Sequence, residues 1–511
     1  MYAVTGAVYL LRDNFSAAIA AGSLDNTKAD PGPGTRDVVT DTNSKLSITG
    51  GALSFATGGV GAGDPGLWYT SQTRAVGRAL MASVNVAVAA PLIGWDSNQA
   101  GDIVGGIAFA GSGNLQSKVN ALTIGAYSTG VAYSIAVIFR ATGEWLLIKG
   151  GAFTNWTLLW ASPTNNTATV YPVLTVNNTG SVHTVDDFRI PQDLIVIQPL
   201  AYDTFTRADA ALGSTETSGP DSQALTAKAW TGATFTISTN KAINTPALGA
   251  DAIVNGAFAA DTDWTKGAGW TIAGGVGVAT AATSNLDAAV APLTVGTWYQ
   301  TAFTMAGFAA GTGKVVLGGV SFPTHGSNAT FTETGRAGST AFALTAAGGT
   351  FTVDNVSALA LTLSELFASI SVSPSDVLAE VNVTLSAALN GLQAGLVLNL
   401  DSAATPANFV IAYLDGRGNA VLDKCVAGVY TNVISAAVTY SAGAALRVSK
   451  IGTGYRLTYN NAAVGTGTIS DAGIISNTLH GLFNTSASNS LDVFVTWATG
   501  AGNEHAVLNS Y

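Results

Sequence analysis

Apolar residues return at every second position in stretch after stretch of this chain. Lys45-Leu-Ser-Ile-Thr, Ser83-Val-Asn-Val-Ala-Val, Thr234-Phe-Thr-Ile-Ser, Ala379-Glu-Val-Asn-Val-Thr-Leu and Gly395-Leu-Val-Leu-Asn-Leu all carry the pattern. A period of two sends one set of side chains to a core and the other toward solvent, which is the geometry of a strand and not of a helix. Gly, Asn and Asp turns separate these segments, and 59 glycines with almost no Lys/Glu-rich segment leave few candidate helices. Short strands punctuated in this way read as sandwiches or barrels. Ser373-Pro-Ser-Asp-Val-Leu-Ala-Glu also fits a capped helical turn, but alternation continues through Val381 and Val383, so strand is preferred there too. The expected fold class is all-β.

Composition narrows the partners. The length of 511 residues allows about three domains of about 150 residues, each with its own core. Hydrophobic residues make up 48% and charged residues 10%, against about 25% charged in an ordinary globular chain. A surface so poor in charge is built of Thr, Ser, Asn and Gly, which suits β-rich scaffolds that assemble with other chains or with copies of themselves, a trimer among the options. The net charge of -10 and the lack of any basic cluster argue against nucleic acid. The most apolar runs, 79–95 and 131–148, are broken by Asn85 and Pro91 and by Arg140 and Glu144. Neither reaches the roughly 20 apolar residues of a membrane helix, so no membrane insertion is expected. The single cysteine, Cys425, forbids an intrachain disulfide. Residues 1–6 show no basic and apolar export signal, which predicts synthesis in the cytoplasm without a signal peptide.

The chain also repeats itself. Arg12-Asp-Asn-Phe15 matches Tyr202-Asp-Thr-Phe205, Trp145-Leu-Leu-Ile-Lys-Gly-Gly matches Tyr455-Arg-Leu-Thr-Tyr-Asn-Asn, Tyr171-Pro-Val-Leu matches His480-Gly-Leu-Phe, and Val185-Asp-Asp-Phe188 matches Leu491-Asp-Val-Phe494. The order is kept, so a duplicated domain is inferred. Asp13 and Phe188 are 175 positions apart and Asp203 and Phe494 are 291 apart; the excess of 116 is close to the 111 residues of 251–361. The domains expected are therefore 1–200, a discontinuous 201–250 plus 362–511, and an insert at 251–361. Long insertions in surface loops cost little closure entropy. Two short connections would let such an insert project outward.

Two resemblances follow from these residues. Tyr202-Asp-Thr-Phe-Thr-Arg-Ala-Asp209 with Leu212-Gly213, Trp230, Asn240-Lys-Ala242, Asn408-Phe-Val-Ile-Ala-Tyr413, Leu422-Asp-Lys-Cys425 and His480-Gly-Leu-Phe483 resembles the laminin-G-like, concanavalin A-like jelly rolls of bacteriophage tail and bacterial surface proteins. The insert, with Asn255-Gly-Ala-Phe258, Trp264, Trp270-Thr-Ile-Ala-Gly-Gly275, Trp298-Tyr299 and Val353-Asp-Asn-Val356, resembles the family 4/9-type carbohydrate-binding β-sandwich. Together they imply tandem jelly rolls, the second interrupted by a carbohydrate-binding-like sandwich. They also imply a bacteriophage virion protein of the tail tip, fibre or spike that contacts other virion proteins and host-surface polysaccharide. The alternatives are a purely structural collar or capsid decoration protein, a secreted bacterial adhesin, and a polysaccharide depolymerase.

No reaction is spelled out. Glycan-cleaving jelly rolls need two acids flanking the scissile bond, and none of Glu144, Glu216, Glu333, Glu365, Glu380 and Glu504 has an acidic residue two positions away; Glu380 has only Asp376, at four. His183, His325, His480 and His505 form no pair at helical spacing. Cys425 has only His480 as a conceivable partner. Gly311-Thr-Gly-Lys314 lacks the Ser/Thr and helix of a phosphate loop and reads as a hairpin turn. No enzyme is therefore expected.

Sugar binding by sandwiches uses flat aromatic rings with amides and carboxylates beside them. In the insert Trp264 and one of Trp298 and Tyr299 are the expected exposed rings, with Asp263, Asn285 and Gln300 nearby; Trp270 reads as core. Trp68-Tyr69, Trp95, Trp156 and Trp160 are further candidates. No cofactor is required. A structural calcium ion is an option, with Asp251, Asn255, Asp354 and Asn355 as ligands; Asp203 and Asp492 occupy comparable positions in the host.

Overall fold

The computed structural model describes residues 9–500, apart from 22, 25, 26, 28, 30–34, 41–43, 45, 56–65, 70–72, 88–90, 97–102, 111, 112, 120, 142, 163–168, 177–182 and 291, together with 505, 508 and 509. The chain is nearly all-β, 58% strand and 3% helix, and its strands form five sheets. Of the ambiguous segment Ser373–Glu380, residues 373–376 form bends and Val377–Glu380 opens the strand Val377–Thr384, with no helical turn.

Two sheets are built from the N-terminal strands and two more repeat their order. The first runs Phe153–Ala161, Gly143–Gly150, Ala132–Arg140, Ala79–Asn85, His183–Pro191, Ala52–Phe55, Leu46–Thr49, with Tyr9–Asp13 paired to His183–Pro191. Its counterpart runs Ala462–Thr468, Gly454–Tyr459, Ala444–Ile451, Val377–Thr384, Ser490–Ala498, Lys241–Asn244, Phe235–Ser238, with Ala201–Asp203 paired to Ser490–Ala498. The facing sheets correspond as well. Thr123–Ala126, Asn114–Ser117, Ile103–Ala110, Pro91–Asp96, Tyr171–Val176, Gly66–Trp68 and Asp37–Thr40 stand against Val429–Ala437, Asn419–Val426, Phe409–Leu414, Ala394–Leu400, Leu479–Asn484 and Phe367–Ser371. In the seventh position the second copy has only the bridge Thr231 to Ser369.

The landmarks seen in sequence turn out to be partners. Asp13 pairs with Phe188 and Asp203 with Phe494. Each aspartate caps the amide two residues on, Phe15 at 3.1 Å and Phe205 at 2.8 Å, and both phenylalanines take positive φ, 48° and 56°. Each carboxylate is buried and held by an arginine. Asp13 takes Arg36 through Nε and Nη2 at 2.6 Å and the Tyr69 hydroxyl at 2.8 Å; Asp203 takes Arg207 at 2.6 and 3.0 Å and the Trp230 indole at 2.8 Å. An uncompensated carboxylate would not survive such burial, so the same motif closes both sandwiches.

The two copies are locked to each other. Leu378, Val495 and Trp497 of the second copy belong to the first copy's hydrophobic core. Arg140 lies 5.0 Å from the Trp145 ring and 5.3 Å from the Trp497 ring and reaches Asp221 at 3.3 Å; Arg447 lies 4.7 Å over Trp160 and bonds Glu380 at 2.6 Å. Several of the chain's few charges are thus spent inside it.

The strands between Asn244 and Phe367 make a separate nine-stranded sheet with its own core. Two 20-residue strands, Trp298–Leu317 and Phe342–Leu361, pair through most of their length. This sheet begins earlier than expected, because Leu248–Asp251 joins it, Leu248 opposite Leu361. Gly256 lies where any Cβ would sit 1.8 Å from the Val356 carbonyl oxygen, which explains the Asn-Gly opening of this segment. Gly311–Lys314 is no hairpin turn; it lies inside the long strand, beside register shifts at 306–312. In the first copy the equivalent connection joins Ala52–Phe55 to Gly66–Trp68, so the insertion occupies a single inter-strand connection.

The inserted sheet does not project. Trp298 and Leu361 pack with Val397, Phe409, Ile411, Tyr413 and Phe483 of the host in one buried cluster. Burying one tryptophan removes on the order of 200 Å² of surface, an upper bound of about 5 kcal/mol at 25 cal/mol per Å². The insert is thus anchored to its host at Trp298 and Leu361, the neighbouring ends of its two long strands.

Candidate functional site

The host strand Phe409–Leu414 explains where a site forms. Val410, Ala412 and Leu414 point into the host sandwich, while Phe409, Ile411 and Tyr413 point to its outer face. All six are buried, because the insert covers that outer face, and a continuous apolar run is what a strand covered on both faces requires.

At one end of the covered face the seam turns polar and opens into a cleft of about 430 Å³. Its floor is Tyr413 and Asp423. The Tyr413 hydroxyl donates to Asp423 Oδ2 at 3.0 Å, and Asn432 Nδ2 donates to Oδ1 at 2.9 Å. Burial, and then the Asp423 charge, push the Tyr413 phenol well above its ordinary value, so it stays a donor. The next turn carries Asp415, whose Oδ1 accepts from the amides of Arg417 and Asn419 at 2.8 and 2.9 Å and whose Oδ2 accepts from Asn419 Nδ2 at 2.9 Å and Arg417 Nε at 3.3 Å. The insert supplies Ser321 and Arg336. The Arg336 guanidinium lies 3.9 Å over the Tyr430 ring and 3.6 Å from Asp423, and the Trp298 indole donates to the Tyr430 hydroxyl at 3.1 Å.

The aromatic residues expected to meet sugar lie elsewhere. Trp264 is 6% exposed, with Phe258 at 5.2 Å and its indole bonded to the Asn255 carbonyl at 3.0 Å. Trp298 and Tyr299 are 3% and 4% exposed. One of the pair was expected outward, yet their strand has no open face there: Tyr299 enters the insert's core and Trp298 the seam. Trp270 is core as expected; Trp68, Tyr69, Trp95, Trp156 and Trp160 are buried as well. Trp298 does not line the cleft but backs it, with its ring edge-on to Tyr413 at 6.2 Å and its indole bonded to Tyr430.

The residues expected to hold calcium bond to local backbone groups. Asp251 Oδ1 accepts from the amides of Ile253 and Ala358, Asp354 Oδ1 from the amide of Asn355, and Asn255 Nδ2 donates to the carbonyls of Ala260 and Thr262. Asn355 takes a positive φ of 53° in the strand. Among the described residues no group of three or more His, Cys, Asp or Glu could hold a metal ion. In the host, Asp203 is committed to Arg207 and Asp492 to the amide of Val493.

Glu216 accepts from the Thr204 amide and Glu365 from the Ala247 amide, and other acid and nucleophile candidates are engaged as well. Asp376 binds Lys450 and Glu380 binds Arg447, each with its own cation. Cys425 is buried and its thiol pushed up to about 11 by burial, while burial and Lys450 push His480 down to about 3, so neither ionises at neutral pH. His480 Nδ1 accepts from the Asn399 amide at 3.3 Å. His325 stacks on Phe331 at 3.7 Å and reaches Glu333 at 3.1 Å, and His505 bonds the Ala498 carbonyl. The His183 side chain and Glu504 lie outside the described residues.

No protein-family model matches the chain, and no curated protein matches it in sequence. Solved structures do resemble parts of it. A carbohydrate-binding module from Bacillus subtilis matches at 18% identity and a TM-score of 0.21, over 26% of this chain and 81% of that one. A non-specific endo-β-1,3(4)-glucanase of glycoside hydrolase family 16 matches at 11% identity and 0.25, over 38% and 93%. An immunostimulatory antigen and pseudo-β-1,3-glucanase of Mycobacterium tuberculosis matches at 13% and 0.23, over 36% and 99%. At such identities the likeness is one of sandwich fold alone.

Proposed function

We propose that this chain is a non-enzymatic glycan-binding protein whose binding surface is the cleft between insert and host, with Tyr413, Asp423, Asn432 and Arg336 as the contacting side chains. The observation that carries the reading is that cleft. An aromatic hydroxyl, an amide, a carboxylate and a guanidinium converge there on a rigid double-covered sheet, the combination that fixes sugar hydroxyls. Hydrolysis is disfavoured because both acids of the cleft already accept from the protein, Asp415 from Arg417 and Asn419 and Asp423 from Tyr413 and Asn432.

We further propose that the protein serves a bacteriophage virion, in the tail tip, fibre or spike, where several copies turn weak sugar contacts into avidity. The support is the charge-poor, assembly-suited composition and the resemblance of its segments to such jelly rolls. The test is binding of host surface polysaccharide by the full chain and by Asn432→Ala, which alters an exposed lining residue. Reducing ends are assayed in parallel. Loss of binding in the variant without any reducing-end release is expected; equal binding by both, or release of reducing ends, refutes the reading.

A further inference from the structure

We propose that the cleft selects acidic glycans and that Arg336 reads the sugar carboxylate. This rests on the glycan-binding reading of the cleft and adds the class of sugar.

The argument is a count of unmet hydrogen-bonding capacity. Asp415 is saturated by four donors, while each oxygen of Asp423 accepts once, from Tyr413 and from Asn432, and keeps one acceptor site. Arg336 is not satisfied. Its side chain is 24% exposed, its Nη2 makes only a long ion pair with Asp423 at 3.6 Å, and Nη1, itself buried, has no partner among the described residues. A guanidinium carries five N–H donors in a planar fork, and leaving such donors unpaired in a largely covered place is costly. The plane is nevertheless fixed, because the Tyr430 ring lies 3.9 Å below it and Trp298 fixes Tyr430. Arg336 therefore brings a rigid, positively charged, planar group, partly exposed, to the lining of the cleft. A carboxylate meets that fork with two parallel bonds, whereas a neutral sugar hydroxyl offers one weaker acceptor. The chain's net charge of -10 gives no long-range attraction to an acidic polymer, so the selectivity comes from this contact.

The test uses the full chain and three acidic probes: oligogalacturonate, oligomannuronate and α2,8-oligosialate. Each is paired with its carboxyl-reduced form, in which the acid has become a hydroxymethyl group. At least one acidic probe is expected to bind ten-fold or more tightly than its reduced form. Arg336→Gln should lose ten-fold or more of that affinity and Arg336→Lys less. Should Arg336→Gln fail to fold, Ser321→Asp sets a competing carboxylate on the exposed insert side of the cleft and should weaken only the acidic probes. Equal binding of acidic and reduced forms, or wild-type affinity in Arg336→Gln, overturns the acidic class and leaves the glycan reading standing. No binding to any probe or neutral oligosaccharide overturns both.

Discussion

Glu144 gives the sharpest physical test of the first sandwich. It lies on the strand Gly143–Gly150, 2% exposed, with its Oε2 accepting from the Gly106 amide at 2.9 Å. Burial pushes its carboxyl from 4.5 up to about 7, only partly offset by the Gly106 amide and by Arg74. Below pH 4.5 the group is protonated both folded and unfolded and has no effect on the balance. Between 4.5 and 7 the folded state holds the extra proton, so stability falls as pH rises, and above 7 the loss is complete. A rise of 2.5 units, from 4.5 to about 7, corresponds to about 3 kcal/mol at 1.36 kcal/mol per unit. Glu144→Gln removes the ionisation and keeps the shape. Its stability relative to the parent should rise by about 3 kcal/mol between pH 4 and pH 8, whatever constant offset the new amide brings. Because a chain of several packed sandwiches does not unfold in two states, the measurement is native-state hydrogen exchange over 103–110 and 143–150 at both pH values. A difference between variant and parent that is the same at pH 4 and pH 8 would refute the assignment.

Other consequences are as specific. Trp298→Ala should cost roughly 3 to 5 kcal/mol of seam stability, seen as faster hydrogen exchange over 409–414, together with weaker glycan binding through the loosened Tyr430 and Arg336. Asp13→Asn should destabilise more than Asp203→Asn in chemical unfolding, because Arg36 is left 1% exposed with nowhere to go while Arg207, 31% exposed, can turn to water; breaking a fully buried pair costs about 3 to 5 kcal/mol. Cys425, with its thiol near 11, should resist iodoacetamide at pH 8 in the native chain and react once unfolded, which mass spectrometry reads directly.

The fold was legible for a local reason and the site illegible for a non-local one. Period-two patterning is a property of each strand alone, so Val381 and Val383 declared their strand unaided. The recurring Asp-x-Phe at 13–15 and 203–205, with the phenylalanines at 188 and 494 in the same order, was legible too, and the two pairs of sheets follow matching strand orders. Alternation, however, says which side chains share a face and nothing of what lies over that face. Trp298 and Tyr299 necessarily point opposite ways, but one faces a core and the other faces a neighbouring sheet. Only the docking of the insert decides that both are hidden.

The same docking created the cleft, which is why no motif announced it. Arg336 and Asp423 come from different sheets, 87 positions apart in sequence, and neither has a functional signature by itself. One signal was present: Asp423 interrupts the run Asn419-Ala-Val-Leu-Asp-Lys-Cys-Val426, on the same face as Val421 and Cys425. A carboxylate on an otherwise apolar face marks where that cover stops, since a fully covered face would leave its charge unmatched. Here the cover ends at Arg336, and Asp423 gains its hydrogen bonds from Tyr413 and Asn432. The insertion therefore does two things at once. It shields the apolar half of a host sheet that would otherwise face water, and along its edge it converts the remaining half into a walled, polar surface that neither sheet possesses alone.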